Sequence, residues 1–274
     1  MILDGHIHVM GQEKDRQSFE KGMKAAGVDG GTVISLPPAV FKALTKPVPA
    51  AERLDNLFYW TEGNENLYPF FWVDPIEKDA CEQVALAVDR GVMGFKVICS
   101  QHTPGDKRAM PVYRAIAKAG KPILFHSGIL WDGLPSSPNN RPAGFEAMLE
   151  VDGLKFALAH ISWPWHDECI AVYGKFLSSK RRRSGLSCEM FIDLTPGTPD
   201  IYRRDALTKL YTVGYDIENN IFWGSDNRTL NYVADSSKRW IAMDKGIFND
   251  LKLSAQTQEK AFSGNLKRFV GLAG

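Results

Sequence analysis

Eight short apolar or alternating runs recur along the chain at intervals of about 25–35 residues, the length of one strand-plus-helix unit. They are Ile2–Val9, Gly31–Leu36, Leu67–Asp74, Val92–Ile98, Pro122–Ser127, Phe156–Ser162, Cys188–Leu194 and Ile221–Asp226. Runs of this length, bounded by turn residues and separated by helical stretches, read as buried parallel strands. The helical stretches are there. Asp79–Arg90 sets Ala80, Val84, Ala87 and Val88 on one stripe and stops at Gly91, and Val112–Ala119 stops at Gly120. Eight such units, with no other segment large enough for a second domain, predict an α/β protein of one domain: a closed (β/α)8 TIM barrel over residues 1–274. A doubly wound open sheet is the rival. It usually has fewer strands and a glycine-rich phosphate turn, and the chain has neither G-x-G-x-x-G nor a Walker motif.

Composition narrows the class of partner. The chain is 44% hydrophobic and 24% charged, too apolar for disorder and ordinary for a globular enzyme. A formal net charge of +1 implies neither a nucleic acid nor an acidic membrane as partner. The one basic run, Lys180-Arg181-Arg182-Arg183, lies between serines and reads as a solvated loop. Cys81, Cys99, Cys169 and Cys188 have no C-x-x-C spacing and read as reduced thiols, mostly core filler. No apolar run approaches the ~18 residues of a membrane span. The first strand starts at once, which speaks against a secretory leader, so the expected location is the cytoplasm and the expected partner a small-molecule substrate.

The chemistry is concentrated where the strands end. Within Met1–Val9, alternation places Asp4, His6 and His8 on one face and Leu3, Ile7 and Val9 on the other. Two imidazoles side by side on a strand can chelate one metal ion. Other strands close on a polar residue whose neighbour two positions earlier is small or apolar: Gly94-Phe-Lys96, Leu124-Phe-His126, Leu158-Ala-His160 and Gly224-Ser-Asp226. In a barrel, His6, His8, Lys96, His126, His160 and Asp226 would therefore converge at the carboxyl-end mouth. Unpaired polar groups are expensive there, and a metal ion satisfies them most simply. Lys96 has three readings: it binds a substrate carboxylate, pairs with Asp226, or is carboxylated and bridges two metals. Asp4 either orients a ligand histidine or is a strand-start carboxylate reaching solvent. Trp163 and Trp165 either wall the substrate or seal the barrel top. His102 and His166 fall outside this set. The stretches Pro37–Pro49 and Gly128–Ala143 are expected to rise over the mouth as substrate loops.

The ordered set Asp4-Gly-His-Ile-His8, Val73-Asp-Pro75, Gly91-Val-Met-Gly-Phe-Lys96, Asn140-Arg-Pro142, Ala159-His-Ile-Ser162, Gly224-Ser-Asp226 and Gly264-Asn-Leu-Lys-Arg-Phe269 runs almost end to end. In it the chain resembles the amidohydrolase superfamily, in the branch that includes aminocarboxymuconate-semialdehyde decarboxylase and resorcylate-type decarboxylases. The resemblance implies a (β/α)8 barrel with His6, His8, His126 and Asp226 as metal ligands. It makes His160 a ligand if two metals bind and an acid/base or polarising residue if one does; in the hydrolytic reading Asp226 also takes the proton of the attacking water. The chain departs from many hydrolases of the superfamily in lacking room for their small β-sandwich. It also carries Lys96 where related deoxyribonucleases carry a glutamate. Some lactonase relatives keep such histidines and work without metal. The activity implied is metal-dependent hydrolysis of a small amide, ester or lactone, with Lys96 or Arg141 holding a substrate carboxylate. The alternative is nonoxidative decarboxylation of a small carboxylated ring or enol, and a third reading is an inactive scaffold. The cofactor expected is one divalent metal, zinc first, with manganese or iron as substitutes and a second ion only if Lys96 is carboxylated. A homodimer is suggested by the resemblance alone.

Overall fold

The computed structural model describes residues 1–41, 44 and 46–272. Among the described residues, nine parallel strands form one sheet: β1 (Leu3–His8), β2 (Gly30–Ile34), β3 (Leu67–Trp72), β4 (Gly94–Val97), β5 (Ile123–Phe125), β6 (Lys155–Leu158), β7 (Glu189–Asp193), β8 (Ile221–Phe222) and β9 (Asn227–Arg228). Their order is β8-β7-β6-β5-β4-β3-β2-β1-β9. The two strands at the ends of that order are neighbours in sequence, so the sheet must curl on itself. Between them Gly5 N–H donates to the Trp223 carbonyl at 2.9 Å and Asp226 N–H to the His6 carbonyl at 3.0 Å. The expected eighth strand is thus a broken one, pairing with β7 before the break and with β1 after it. The TIM-barrel architecture stands, with that interruption.

Helices follow the strands: α1 (Arg16–Ala26), α2 (Ala50–Thr61), α3 (Ala80–Asp89), α4 (Met110–Lys118), α5 (His166–Arg182), α6 (Asp200–Thr212) and α7 (Ala234–Asp250). Between β5 and β6 the crossover is a 3₁₀ segment, Pro142–Glu150. Two glycines stop helices as the sequence predicts, Gly91 at φ 91° and Gly120 at φ 68°. One buried layer lies between strands and helices and includes Ile7, Phe71, Phe95, Phe125 and Phe156. A second fills the barrel: Leu3, Phe70, Leu124, Ala157, Phe191 and Phe222. Two short helices, α8 (Ala255–Glu259) and α9 (Asn265–Phe269), end the described chain. From α9, Phe269 sets its ring 5.0 Å from Phe191 and 5.1 Å from Phe222. That plug closes the end of the barrel opposite the mouth, and each buried phenylalanine contributes about 1.5–3 kcal/mol.

Three sequence expectations change. The run Lys180–Arg182 is the exposed last turn of α5, where cations suit the helix's carboxyl end, and only Arg183 lies beyond it. Asp4 does not share a face with His6 and His8. Asp4 pairs with Gly31 but Ile7 with Val33, so β1 holds one extra residue between them, a bulge that turns Asp4 away from the barrel axis. Strand six stops at Leu158, before His160. Of the loop Pro37–Pro49, Lys42, Ala43 and Thr45 lie outside the described residues, as do Ala273 and Gly274 of the expected domain. Among the described residues no helix is long and apolar enough to cross a membrane.

Candidate metal centre

After the bulge, His6 and His8 both point to the mouth, with Nε2 atoms 3.1 Å apart. His6 is fully buried, and its Nδ1 lies 2.7 Å from Asp193 Oδ2 at the end of β7. Burial pushes the Asp193 carboxyl up to about 6, against the hydrogen bonds from Thr195 that hold it down. As a carboxylate it accepts from His6, which fixes the proton of His6 on Nδ1 and leaves Nε2 with a lone pair. Burial, with the Lys96 charge, holds both His6 and His8 well below the ordinary histidine range. Both are neutral imidazoles.

Asp226 completes the group. Its Oδ1 is 3.4 Å from His8 Nε2 and 3.8 Å from His6 Nε2. Asp226 stands in a left-handed turn, φ 61°, that breaks the eighth strand. The turn is held by Asp4, which accepts from Ser225 N at 2.8 Å, from Ser225 Oγ and from Tyr232 Oη at 2.7 Å. Asp4 therefore neither orients a histidine ring nor reaches solvent; it clamps the turn that presents Asp226. A Cβ on Gly224 would come 2.3 Å from Thr195 Oγ1 and 3.0 Å from His6 Cβ, so only glycine lets this turn pass the His6–Asp193 pair.

His160 arrives by a second strained turn. His160, Ile161 and Ser162 all have positive φ, at 62°, 48° and 59°. With Asp226 they make four of the five non-glycine residues so placed in the described chain, each costing about 1–2 kcal/mol. The His160 ring centroid sits 5.3 Å from His6 and 4.9 Å from His126, and its buried Nδ1 has no hydrogen-bond partner. His126 lies just past β5, with Nε2 3.2 Å from the Ile129 carbonyl. Burial and Lys96 depress His126 to about 3.

Lys96, fully buried on β4, places Nζ 3.3 Å from His6 Nε2. Among the described residues no carboxylate oxygen comes within the 4.0 Å of an ion pair with it, so the expected pairing with Asp226 is not made. Desolvation pulls its amine down to about 8, opposed by the charges of Asp226 and Asp193. Desolvation likewise pushes the Asp226 carboxyl up to about 7. The Asp226 side chain is 41% exposed, so that desolvation comes from the walls of a narrow mouth rather than full enclosure.

His6, His8, Lys96, His126, His160 and Asp226 line one cavity of about 280 Å³, with Trp131 and Trp163 on its wall. Among the described residues, ligand atoms of His6, His8 and Asp226 lie within 4.8 Å of one another. Two nitrogens bound at about 2.0–2.1 Å to one tetrahedral ion are about 3.3 Å apart, close to the His6–His8 spacing. Two neutral imidazoles and a carboxylate are donors that zinc-type ions accept. The residues fit a divalent metal.

Of the substrate-binding residues expected from sequence, Lys96 and Trp163 line the cavity, while Arg141 and Trp165 do not. Arg141 Nε donates to Glu168 Oε2 at 2.7 Å, and its guanidinium lies over the Trp165 ring at 5.4 Å. His126 reaches the cavity but not the three-residue group. Asp193 is the functional residue that sequence reading passed over. Its signal was the same as the others: a polar residue closing a strand, two positions after the inward Phe191.

A TIM barrel with a histidine-rich mouth defines a class of proteins before any comparison. The amidohydrolase family profile matches residues 4–272, and the chain belongs to that family. Among solved structures, it is similar to an uncharacterized TIM-barrel protein from Bordetella bronchiseptica at 16% identity and TM-score 0.69, covering 98% of each chain. It is also similar to an amidohydrolase from Burkholderia multivorans with bound zinc, at 12% identity and TM-score 0.67 over 100% of both chains. A third is 2,6-dihydroxybenzoate decarboxylase from Rhizobium, at 13% identity and TM-score 0.63 over 100% of this chain and 98% of that one. Comparison with curated proteins finds no match.

Proposed function

We propose that this protein is a metal-dependent hydrolase of a small amide, ester or lactone. The observation that carries the reading is the group of His6 Nε2, His8 Nε2 and an Asp226 oxygen within 4.8 Å, with His6 fixed in one tautomer by Asp193. These three would hold one divalent ion, zinc first and manganese or iron otherwise, with His126 beside them as a further ligand. Such an ion supplies a Lewis acid and brings the pKa of a bound water toward ~7. The Asp226 carboxylate is placed to accept the proton of the attacking water and return it to the leaving group. His160, neutral and adjoining both His6 and His126, faces the developing oxyanion. Lys96 holds a substrate oxygen or carboxylate; a second ion would require its carboxylation. The zinc-containing amidohydrolase relative supports this reading.

Nonoxidative decarboxylation is the second reading, and the likeness to a dihydroxybenzoate decarboxylase favours it. There Lys96 would hold the carboxylate that leaves as CO₂, and His160 would supply the proton that replaces it on carbon. Turnover of amide, lactone and carboxylated substrates in ¹⁸O-labelled water separates the two. Label in a new acid group supports hydrolysis, whereas released CO₂ and an unlabelled organic product overturn it. Elemental analysis that finds no metal, with full activity after chelation, would remove the metal from either reading.

A further inference from the structure

We propose that the substrate is bipartite: a compact polar head at the metal centre and an uncharged apolar tail in a second chamber beside it. The inference rests on the reading above only for where the head lies.

The second chamber measures about 620 Å³ and is walled by Phe41, Trp72, Ile98, Leu130, Trp131 and Leu134. It is not a separate hole. Ile98, His126 and Trp131 line it and the metal-centre cavity alike, so a molecule seated on the histidines can run past these three into it. The two spaces differ in chemistry. The first holds Lys96, Asp226 and the four histidines. The second has no lysine or arginine on its described walls. Its one carboxylate, Asp132, is occupied by the Ser136 hydroxyl at 2.8 Å and the Leu134 N–H at 3.0 Å. Its one imidazole, His126, already faces the Ile129 carbonyl. Its other polar walls, Ser100 and Gln101, are uncharged, and the remaining described walls are apolar.

Size divides the substrate in the same way. At about 30 Å³ per water, the first cavity admits a head of roughly nine heavy atoms. The second lies in the range of ~300–1,000 Å³ usual for ligand pockets. Its rim leaves Trp131 81% and Leu134 55% exposed, and an apolar tail would remove that surface from water. Trp131 also lies nearly parallel to Trp163, at 13° with centroids 6.4 Å apart, forming a wall that a flat or extended tail can follow. The substrate class is therefore an acyl or lactone compound carrying an alkyl or aryl group, rather than a small polar metabolite.

The test uses the purified full-length protein and inert straight-chain carboxylates from acetate to octanoate, with phenylacetate and 4-phenylbutyrate as aryl arms. Binding is read by calorimetry. Kd should fall about two- to fourfold per methylene until the chamber is filled. In Leu134→Glu, and independently in Leu130→Gln, the dependence on length should flatten. A steeper gain in the aryl arm identifies an aryl tail, and a steeper gain in the alkyl arm an alkyl one. Absence of binding at every length, a flat series in the parent protein, or an unchanged slope in both variants overturns the proposal. A length-dependent Kd without amide, ester or lactone turnover leaves the chamber standing and removes the hydrolase reading. Turnover with a flat series does the reverse.

Discussion

Among the buried charges of the described residues, two groups are built in opposite ways. Between α6 and α7, Arg203 Nε donates to Asp244 Oδ1 at 2.8 Å and Nη2 to Oδ2 at 2.6 Å, with both side chains fully buried. The guanidinium also lies 5.3 Å from the Trp240 ring centroid. At the mouth, Lys96 faces a histidine nitrogen instead of a carboxylate, and Asp226 meets its histidines at 3.4 and 3.8 Å. His160 Nδ1 and His8 Nδ1 have no partner at all. The first site is a two-pronged ion pair on ordinary helical backbone, in which only Arg203 Nη1 is left without a partner. The second is underpaired and stands on left-handed turns. Buried polar groups left short of partners, on strained backbone, mark a place that a ligand completes.

The largest effect should come from the underpaired site. Asp226→Asn removes the proton acceptor and should lower kcat/KM by on the order of 10²–10⁴, with the circular dichroism spectrum unchanged. The acceptor works only when ionised, so activity of the parent protein should fall as pH is lowered. An Asn variant with parental kcat/KM would make Asp226 a spectator and erase the contrast.

The closed pair should respond in stability instead. Arg203→Ala or Asp244→Ala leaves one buried charge alone and should cost about 3–5 kcal/mol in urea unfolding. The activity of the folded fraction should be unaltered, since neither residue lines the cavity. Arg203→Met with Asp244→Leu should recover most of that loss, because a packed apolar pair often matches a buried ion pair. A single variant that loses activity before stability would show that the pair feeds the mouth.

Much of this contrast was legible in the sequence, and the parts that were not have physical causes. The strand-and-helix repeat gave the barrel, and the polar residue closing each strand gave His6, His8, Lys96, His126, His160 and Asp226. The bulge in β1 was hidden because register depends on the partner strand: Asp4 opposite Gly31 and Ile7 opposite Val33 cannot be counted from Asp4–His8 alone. It moved Asp4 from histidine orientation to clamping Ser225. The left-handed turn at His160–Ser162 carries no glycine to announce it. Arg141 was drawn toward the substrate on loop position, but its partner Glu168 lies 27 residues on and is brought near only by the path of the β5 loop.

His102 tests whether underpairing alone makes a functional site. It is 4% exposed, both ring nitrogens lack partners, and it lies outside the cavity. Burial depresses its pKa from 6.5 to about 4, with Asp106 opposing. Between those values the unfolded chain binds the proton and the folded one does not, so His102 makes stability fall as pH drops from 6.5 to 4. The loss is at most about 3 kcal/mol. The other buried histidines act in the same direction, so the measurement is a difference. His102→Phe should lose less stability over that window than the parent by up to this amount, with kcat/KM retained. An equal pH dependence in both proteins would show that the ring is solvated in the folded state.

The smallest effect belongs to Arg141, and it separates position in sequence from position in space. Its side chain is 56% exposed and committed to Glu168, with Trp165 beneath it. An exposed ion pair of this kind contributes about 0–1 kcal/mol, so Arg141→Ala should shift the urea midpoint only slightly. Its guanidinium is not among the groups lining the cavity, so KM should stay within about threefold of the parent, equivalent to ~0.6 kcal/mol. Lys96→Met is the paired measurement, because that amine lies inside the cavity and should raise KM or abolish turnover. If Arg141→Ala raised KM tenfold or more while Lys96→Met did not, the β5 loop would have to swing inward when substrate binds. The substrate anion would then belong to Arg141, and the contrast between closed surface pairs and the open mouth would fail at this residue.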